Sequence, residues 1–465
     1  MRNLFVFAVL GAALPVCAQT PDWSKINDEA MRHFQALVQI DSSDPPGNET
    51  RVAEYVKKTL EADGIPVMMV AKDPARANII ARLKGNGSKK PLLIMGHSDV
   101  VRVDPAKWTF PPFSATRQGG YVYGRGTLDD KSDLLAALMT MLMLKRQNTP
   151  LDRDVIFVSE AGEEGYTPPG IEYLVNEHWS DIDAEFCLAE SGGVRLKNGQ
   201  AQYALVETTE KQPKGAKLVA HGPAGHGSRP LRTSAIVHLA KAVETIAAWD
   251  PPMRFNDTTR YYFEKMATVS TPEEAARFKG LFDSEKAPAI REYLAEHDPI
   301  SYSMLHTSIS PNIIQGGYQV NVIPSEAEAT LDIRALPDEK IDAFYDAMRK
   351  VINDPAVEVV PEHRNERPGA APSKLDSDAY RAVEAAYKSI YGVITIPVMS
   401  TGATDMAFLR AKGVQCYGVG AMVDEEDAPK GYGPHSDQER ILEAAVYKHV
   451  QFFWQAVNSI ASAKH

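Results

Sequence analysis

Two adjacent glutamates, Glu163 and Glu164, lie between glycines shortly after the apolar segment 155–158. Neighbouring carboxylates repel one another unless protons or cations neutralise them. A solvated turn is the usual explanation for such a pair when it is considered alone. The alternative is a metal site, and this interpretation predicts further ligands elsewhere in the chain.

A second apolar segment ends at His97, and Asp99 follows it by two residues. Residues two apart in a strand face the same side, so Asp99 could accept the second ring N–H of His97. Metal-bound histidines usually have such a partner. Taken alone, the motif is more simply explained by a half-buried histidine in a capped turn.

Asp129 precedes the apolar segment 134–144, which predicts a helix. Its carboxylate has two equally good local explanations. It either caps the N-terminus of that helix or points as a metal ligand into the same cleft as His97. The neighbouring sequence does not decide between them.

Glu190 and His435 extend the set of candidate ligands. Glu190 follows a short apolar strand, and His435 lies in a loop before the last predicted helix, where an ordinary surface histidine is the alternative. Apart from Cys17, the chain has two cysteines, Cys187 and Cys416, each inside an apolar segment. We expect two buried thiols rather than a disulfide. Because two thiolates alone cannot build a zinc site, His, Asp and Glu must supply the ligands.

Apolar strands alternate with helices through most of the chain, and these elements must position the candidate ligands. Besides the strand that ends at His97, buried strands are predicted at 77–83, 155–158, 184–188 and 414–419. This alternation predicts an α/β fold with a mostly parallel sheet flanked by helices. The carboxyl ends of parallel strands share one edge of a sheet. The candidate ligands should therefore converge there.

A different pattern begins near residue 207. Apolar and polar residues alternate strictly over 327–334, which predicts a half-exposed strand rather than a buried one. Together with an apolar strand at 357–360, this pattern predicts a separate α+β domain inserted into the first. Arg334 lies on the open face, where a solvated arginine is the alternative to a functional one.

The predicted domain boundaries follow from this change of pattern. Residues 19–206 and 367–465 form the two parts of the first domain, and residues 207–366 form the inserted domain. The segment 251–310 within the insertion is polar and helical. It carries no residue pattern that indicates a site.

The 465 residues are 44% apolar and carry a net charge of −11, which argues against nucleic acid or an anionic membrane surface as a partner. Arg2, the apolar segment 4–14 and Ala18 predict a secretory signal peptide over residues 1–18, and therefore a periplasmic or secreted protein. A retained anchor is disfavoured because the apolar segment is about half as long as a membrane-spanning helix. Lipid attachment at Cys17 is also disfavoured, because a bulky valine precedes it.

Taken in order, these residues resemble the motifs of the dinuclear zinc peptidases typified by aminoacylase, glutamate carboxypeptidase and succinyl-diaminopimelate desuccinylase. The resemblance extends through nearly the whole chain after the signal peptide. Each motif is moderately specific, and their joint order and spacing are highly specific. The motifs are Gly96-His97-Ser98-Asp99, Gly124-Arg125-Gly126-Thr127-Leu128-Asp129-Asp130-Lys131, Glu163-Glu164-Gly165, Glu190, Gly225-His226-Gly227-Ser228-Arg229-Pro230, Asn321-Val322-Ile323-Pro324, Asp332-Ile333-Arg334 and Gly433-Pro434-His435.

The resemblance implies a catalytic domain of the zinc-peptidase type with an inserted lid or dimerisation domain. It also implies two bound zinc ions, with cobalt or manganese as alternatives. Glu163 would be the general base, and Asp99 would orient His97. The implied ligands are His97, Asp129 and Glu190 for one ion, and Asp129, Glu164 and His435 for the other.

Further roles are implied for the inserted domain and the segment after it. His226 would stabilise the developing oxyanion, either within its own chain or in the partner subunit of a homodimer. Asn321 would contact the substrate, and Arg334 would bind a free substrate carboxylate through two parallel hydrogen bonds. The backbone of Gly402 would lie against the substrate.

The expected function is hydrolysis of an amide bond next to a free carboxylate, in peptides or N-acyl amino acids. Carboxypeptidases, dipeptidases and aminoacylases catalyse reactions of this type. A zinc aminopeptidase is an alternative, but such enzymes generally lack the inserted domain. A catalytically silent binding protein on the same scaffold is a second alternative, although every expected position is filled in this sequence.

Overall fold

The computed structural model describes residues 21–363 and 366–463. The predicted signal peptide at 1–18 and Cys17 lie outside the described residues. Within the described part of the chain, no helix combines the length and apolar character needed to cross a membrane. The α-helices of this part are α1 (Trp23–Val38), α2 (Thr50–Ala62), α3 (Lys131–Arg146), α4 (Ile171–Glu177), α5 (Trp179–Ile182), α6 (Ala235–Ala247), α7 (Asp257–Val269), α8 (Pro272–Gly280), α9 (Ala287–His297), α10 (Pro299–Ser303), α11 (Ile341–Ile352), α12 (Asp378–Tyr391), α13 (Met406–Ala411) and α14 (Glu443–Ala461).

The strands belong to two larger sheets and three small ones. In chain order they are β1 (Ser43–Asp44), β2 (Val67–Val70), β3 (Asn78–Leu83), β4 (Leu92–His97), β5 (Val100–Val101), β6 (Thr116–Gln118), β7 (Tyr121–Tyr123), β8 (Val155–Glu160), β9 (Phe186–Ala189), β10 (Gly193–Lys197), β11 (Gln200–Glu210), β12 (Gln212–His221), β13 (Gly225–His226), β14 (Ser308–Gly316), β15 (Val322–Ile323), β16 (Glu326–Ala335), β17 (Val357–Glu362), β18 (Thr395–Ser400), β19 (Gln415–Gly418), β20 (Val423–Asp424) and β21 (Arg440–Leu442).

The large sheet has the order β2-β3-β8-β4-β9-β19-β11-β10-β20, and β18 pairs with β11. Its central strands β8, β4, β9 and β19 are parallel to one another. β3 and β11 bound this centre with antiparallel pairs. The predicted α/β fold is confirmed, with the parallel pairing at the centre of the sheet. Cys187 and Cys416 are register partners there, and both are buried free thiols.

Alternate residues of β4 face two separate cores, which explains why the strand is apolar on both sides. Leu92 and Ile94 pack into a core that α1, α3 and α14 share. Leu93 and Met95 pack into a second core with residues of α4 and α13. A strand buried on both faces can place polar groups only at its ends. The candidate ligands occur at those ends.

The second larger sheet has four antiparallel strands in the order β14-β16-β12-β17. Helices α6 and α11 share its buried core, which includes Ala329, Leu331 and Ile333 of β16. Asp332 and Arg334, on the opposite face of β16, are partly exposed. The predicted alternation over this strand is confirmed.

Helix α7 packs against β11 and β18 of the large sheet. Phe263 of α7 and Leu281, directly after α8, share a core with Ile396 and Met399 of β18. β11 of the large sheet continues to Glu210, and β12 of the second sheet begins two residues later. The predicted bounds of the inserted domain, 207–366, stay a prediction.

Candidate metal centre

The carboxyl ends of neighbouring parallel strands bring predicted site residues to one edge of the large sheet. His97 is the last residue of β4 and pairs with Glu160, the last residue of β8. On the other side of β4, strand β9 ends at Ala189, directly before Glu190. His97 Nε2 lies 3.8 Å from Glu190 Oε2. The strands thus converge as their parallel order predicts.

Asp129 lies between two histidines that are far apart in the sequence. Its Oδ1 atom is 3.0 Å from His97 Nε2, and its Oδ2 atom is 3.1 Å from His435 Nε2. The N-cap residue of α3 is Asp130, whose side chain makes no capping hydrogen bond. The carboxylate of Asp129 therefore faces the cluster, and the helix-cap explanation does not describe it.

His435 reaches the cluster from the solvent side. Its Nε2 atom is 3.0 Å from Glu164 Oε2, while its side chain is 54% exposed. Its φ of 61° lies in the left-handed region, which few residues other than glycine adopt. It is therefore both an exposed histidine, as the local sequence suggests, and a member of the cluster.

A buried ion pair joins the His435 loop to the Asp129 loop, and sequence reasoning missed it. Arg125 Nη1 donates to Glu439 Oε2 at 2.5 Å, and Arg125 Nη2 donates to the backbone oxygen of Ser436 at 2.8 Å. Glu439 Oε1 accepts the backbone N–H of Leu128 at 2.7 Å. These bonds hold the two loops together at Leu128, one residue before Asp129.

The geometry of the cluster fits metal ions. The ligand atoms of His97, Asp129 and Glu164 lie within 4.8 Å of one another, and so do those of His97, Glu163 and Glu190. These groups differ from the predicted ligand sets. Glu164 is grouped with His97 instead of His435, and Glu163 replaces Asp129 beside His97 and Glu190. Imidazole and carboxylate donors without thiolate suit zinc, cobalt or manganese.

The electrostatics of the cluster also favour a cation. Burial raises the pKa of Glu190 well above its usual range, and the charge of Glu163 raises it further. Hydrogen bonds to Asp129 and Glu164 raise the pKa of His435 to about 10. The neighbouring carboxylates contribute to both shifts, so the cluster carries a negative potential that a divalent cation would neutralise.

Asp99 supports the cluster from inside the protein. His97 Nδ1 is 3.1 Å from the backbone oxygen of Asp99 and 3.5 Å from its Oδ1 atom, so the backbone oxygen is the nearer acceptor. The Asp99 carboxylate accepts the backbone N–H groups of Glu163 and Glu164 at 3.1 and 3.0 Å. The expected pairing of the His97 ring with the carboxylate is thus weaker than the bonds that hold the glutamate loop.

Glu163 is buried and bound by an arginine that sequence reasoning missed. Arg367 donates to Glu163 Oε1 and to the backbone oxygen of Glu163, both at 2.8 Å. Burial raises the pKa of Glu163 to about 8, although the charge of Arg367 acts in the opposite direction. Arg367 is 204 residues away in the chain, in a Pro-Gly segment without regular spacing. No local signal could have found it.

His226 and Asn321 lie together on the connections of the second sheet. His226 ends β13 and is exposed. Its Nδ1 atom accepts the backbone N–H of Ser228 at 3.1 Å, so the neutral ring carries its proton on Nε2. The backbone N–H of Gly227 donates to the backbone oxygen of Asn321 at 2.8 Å.

Arg334 and Gly402 have partners of their own. Arg334 donates to both carboxylate oxygens of Asp332, at 2.8 and 3.1 Å. The N–H of Gly402 donates to Ser400 Oγ at 3.1 Å. Among the described residues, no hydrogen bond or ion pair joins the metal centre to His226, Asn321, Arg334 or Gly402. The roles of these four residues stay predictions.

Comparison with known proteins agrees with the motifs. A sequence profile of peptidase family M20/M25/M40 matches residues 93–459. The chain is 26% identical to human N-fatty-acyl-amino acid synthase/hydrolase PM20D1 over 390 residues, covering 80% of this chain and 74% of the relative. It is 30% identical to a probable succinyl-diaminopimelate desuccinylase of Staphylococcus aureus over 311 residues, covering 66% of this chain and 69% of the relative.

Solved structures share the fold. The M20 family metallo-carboxypeptidase Sso-CP2 of Sulfolobus solfataricus superposes with a TM-score of 0.69 at 21% identity, covering 93% of this chain and 100% of the other. The Bacillus subtilis protein YXEP, a dinuclear metal binding peptidase, superposes with a TM-score of 0.61 at 14% identity, covering 93% and 98%. The match at 93–459 spans most of the sequence, so this chain, a hydrolase of amide bonds, belongs to peptidase family M20/M25/M40, whose members depend on metal ions.

Proposed function

We propose that the chain is a dinuclear zinc-dependent hydrolase that cleaves the amide bond of peptides or N-acyl amino acids next to a free carboxylate. The observation that carries this proposal is the position of Asp129, whose two oxygens lie 3.0 and 3.1 Å from His97 and His435. A carboxylate between two histidines can bridge two metal ions. Glu190 and Glu164 would complete the two ligand sets.

Glu163 is proposed to act as the general base. Bound zinc ions would polarise the scissile carbonyl and lower the pKa of the attacking water. Glu163 would accept a proton from this water and return it to the leaving amine. Burial raises the pKa of Glu163 to about 8, which makes its carboxylate a stronger proton acceptor than an exposed glutamate. Bound cations would lower this pKa and keep the carboxylate ionised near neutral pH.

Substrate recognition is assigned to Arg334 of the second sheet, to His226 and Asn321 on its connections, and to Gly402 after β18 of the large sheet. His226 would donate its Nε2–H to the developing oxyanion. Arg334 would hold the substrate carboxylate in the two-bond geometry that it now makes with Asp332, with Asn321 and Gly402 as further contacts. Because these residues make no described contact with the metal centre, the proposal requires closure of the second sheet or a contribution from a partner subunit.

The substrate class is supported by the named relatives. One is an N-fatty-acyl-amino acid synthase/hydrolase and another is a probable succinyl-diaminopimelate desuccinylase. A structural neighbour is a metallo-carboxypeptidase. We therefore propose peptides and N-acyl amino acids as the substrate class of this chain and assign no preference for a particular side chain.

We also propose a periplasmic or secreted homodimer that forms through the inserted domain, 207–366. The location is inferred from the predicted signal peptide at 1–18. β14 is an edge strand of the second sheet, and Ile314 on this strand is 63% exposed. Tyr318, in the following loop, is 83% exposed. Apolar edge strands readily pair with another chain, so Ile314→Lys should convert a dimer to a monomer in light-scattering measurements.

The test of the proposed activity is hydrolysis of dipeptides and N-acyl amino acids by the zinc-reconstituted chain. Each substrate is assayed with a free and with an amidated C-terminus, with and without a chelator. Chelator-sensitive cleavage of only the free-carboxylate forms is expected. Cleavage of both forms would leave the metal centre in place but exclude carboxylate recognition. Chelator-resistant cleavage would exclude the metal mechanism.

A further inference from the structure

A single guanidinium group holds Glu163 at two points. Arg367 Nη1 donates to the Glu163 carboxylate, and Arg367 Nη2 donates to the Glu163 backbone oxygen, each at 2.8 Å. Arg367 is only 7% exposed. Its Nη2 atom is also 3.3 Å from Asp405 Oδ1, so a second carboxylate forms an ion pair with the guanidinium.

The backbone bond has a consequence for the neighbouring ligand. The carbonyl of Glu163 belongs to the peptide group that continues into Glu164. Arg367 holds the oxygen of this peptide at 2.8 Å, and Asp99 Oδ2 accepts its N–H at 3.0 Å. The peptide between the predicted base and the predicted ligand is therefore clamped from both sides.

We propose that Arg367 is the positioning residue of the catalytic base: it fixes the carboxylate of Glu163 and the 163–164 peptide so that the base and the adjacent ligand keep a defined separation. This inference rests on the proposed function. It adds a residue that lies just after β17, on the segment that returns from the second sheet to the large sheet.

The planar fork of arginine is essential to this role. Two donors at a fixed spacing can reach a side-chain oxygen and a backbone oxygen of one residue together, whereas a lysine ammonium is a point charge without that geometry. Charge neutralisation of Glu163 and Asp405 alone would be achieved by either side chain. A comparison of arginine with lysine at position 367 therefore distinguishes an effect of positioning from an effect of charge.

The experiment compares Arg367→Ala and Arg367→Lys in the full zinc-loaded enzyme. A displaced base costs about 10²-fold in rate, so Arg367→Ala should lower kcat by about that factor. Its KM, and its zinc content at saturating zinc, should stay within about twofold of wild type, because no substrate contact and no metal ligand is removed. Arg367→Lys, which keeps the charge and the fold, should recover only part of kcat. Full recovery by lysine would overturn the proposal.

Two controls isolate the effect. Arg153 is also buried and donates to Glu185 at 2.9 Å, before the strands β8 and β9 begin. Arg153→Ala should leave kcat unchanged. In a Glu163→Gln background, Arg367→Ala should cost less than about threefold, because residues that act through one another are not additive. The same 10²-fold loss in both backgrounds would contradict positioning through Glu163.

A structural readout keeps the inference separate from the proposed activity. If the wild-type chain cleaves no amide substrate, the proposed function fails, and the position of Glu163 can still be measured. In crystals of zinc-loaded Arg367→Lys, the Glu163 carboxylate should leave its wild-type position, with zinc bound as in the wild type. An unchanged Glu163 conformation would overturn the role of Arg367, whatever the activity.

Discussion

Asp99 Oδ2 accepts the backbone N–H of Glu164 at 3.0 Å, which joins the turn after β4 to the loop after β8. The other oxygen of the same carboxylate accepts the N–H of Glu163. Asp99 is fully buried, so neither bond competes with solvent. The loop that carries the predicted base and a predicted ligand is thus fixed by the turn that follows His97.

Replacement of Asp99 by asparagine should disturb this loop. One of the two N–H groups would face an amide NH₂ group instead of an oxygen, because asparagine has a single acceptor oxygen. We expect Asp99→Asn to lower zinc affinity or kcat/KM by about 10–100-fold, as is typical for residues that support metal ligands. Zinc titration and steady-state kinetics measure the two effects. Wild-type values in both would show that the carboxylate is dispensable.

Glu163→Gln should separate chemistry from metal binding. Glutamine keeps the shape of the side chain but cannot accept the proton, so turnover should fall by about 10²–10⁴-fold. The zinc content, determined by mass spectrometry, should equal that of wild type. Activity near wild type would show that another group is the base. Loss of zinc would instead make Glu163 a ligand, as its grouping with His97 and Glu190 allows.

Asp129→Ala and His435→Ala should differ in metal stoichiometry. Asp129 approaches both histidines, so its removal should weaken binding of both ions, whereas removal of His435 should weaken only one. Calorimetric zinc titration of the metal-free variants gives the number of sites. Equal stoichiometry in the two variants would contradict a bridging role for Asp129.

Arg334→Ala should raise KM for substrates with a free C-terminal carboxylate and spare their amidated forms. The guanidinium binds a carboxylate through two charge-assisted bonds, and these are present in the ground state as well as in the transition state. The matched control is Lys217→Ala, an ion-paired residue of the same sheet. An equal rise in KM for both kinds of substrate would show that Arg334 does not bind the substrate carboxylate.

Lys211 should make stability depend on pH. Lys211 is buried at the junction of β11 and β12, and its ammonium group donates to Ser303 and Ser308. Among the described residues, no carboxylate lies at hydrogen-bond distance from it. Burial, with the charge of Arg334, lowers its pKa to about 7.

The direction follows from proton binding. Between about pH 7 and about pH 10 the unfolded chain binds a proton that the folded chain has lost, so the free energy of unfolding rises with pH in this window, by at most about 1.4 kcal/mol per pH unit. Urea unfolding across the window should show this slope in wild type and not in Lys211→Met. Equal slopes in wild type and Lys211→Met would show that Lys211 stays charged in the folded protein across this pH window.

The sequence alone determined the types of the candidate ligands and the elements that carry them. Apolar segments that end in polar residues were sufficient to predict β4, β8 and β9, because a strand buried on both faces can change polarity only at its ends. Parallel pairing then brought His97 and Glu190 to one edge. The alternation over β16 likewise predicted a sheet with one open face.

The tertiary structure decided whether Asp129 caps a helix or faces the cluster, because both outcomes have the same local sequence. It also revealed two ion pairs between residues far apart in the sequence. Arg367 and Glu163 are 204 residues apart, and Arg125 and Glu439 are 314 residues apart. Contacts at such separations depend on how strands and loops pack in three dimensions. Local patterns of polarity record burial and chain direction, but they carry no information about which distant side chain fills the space beside a buried charge.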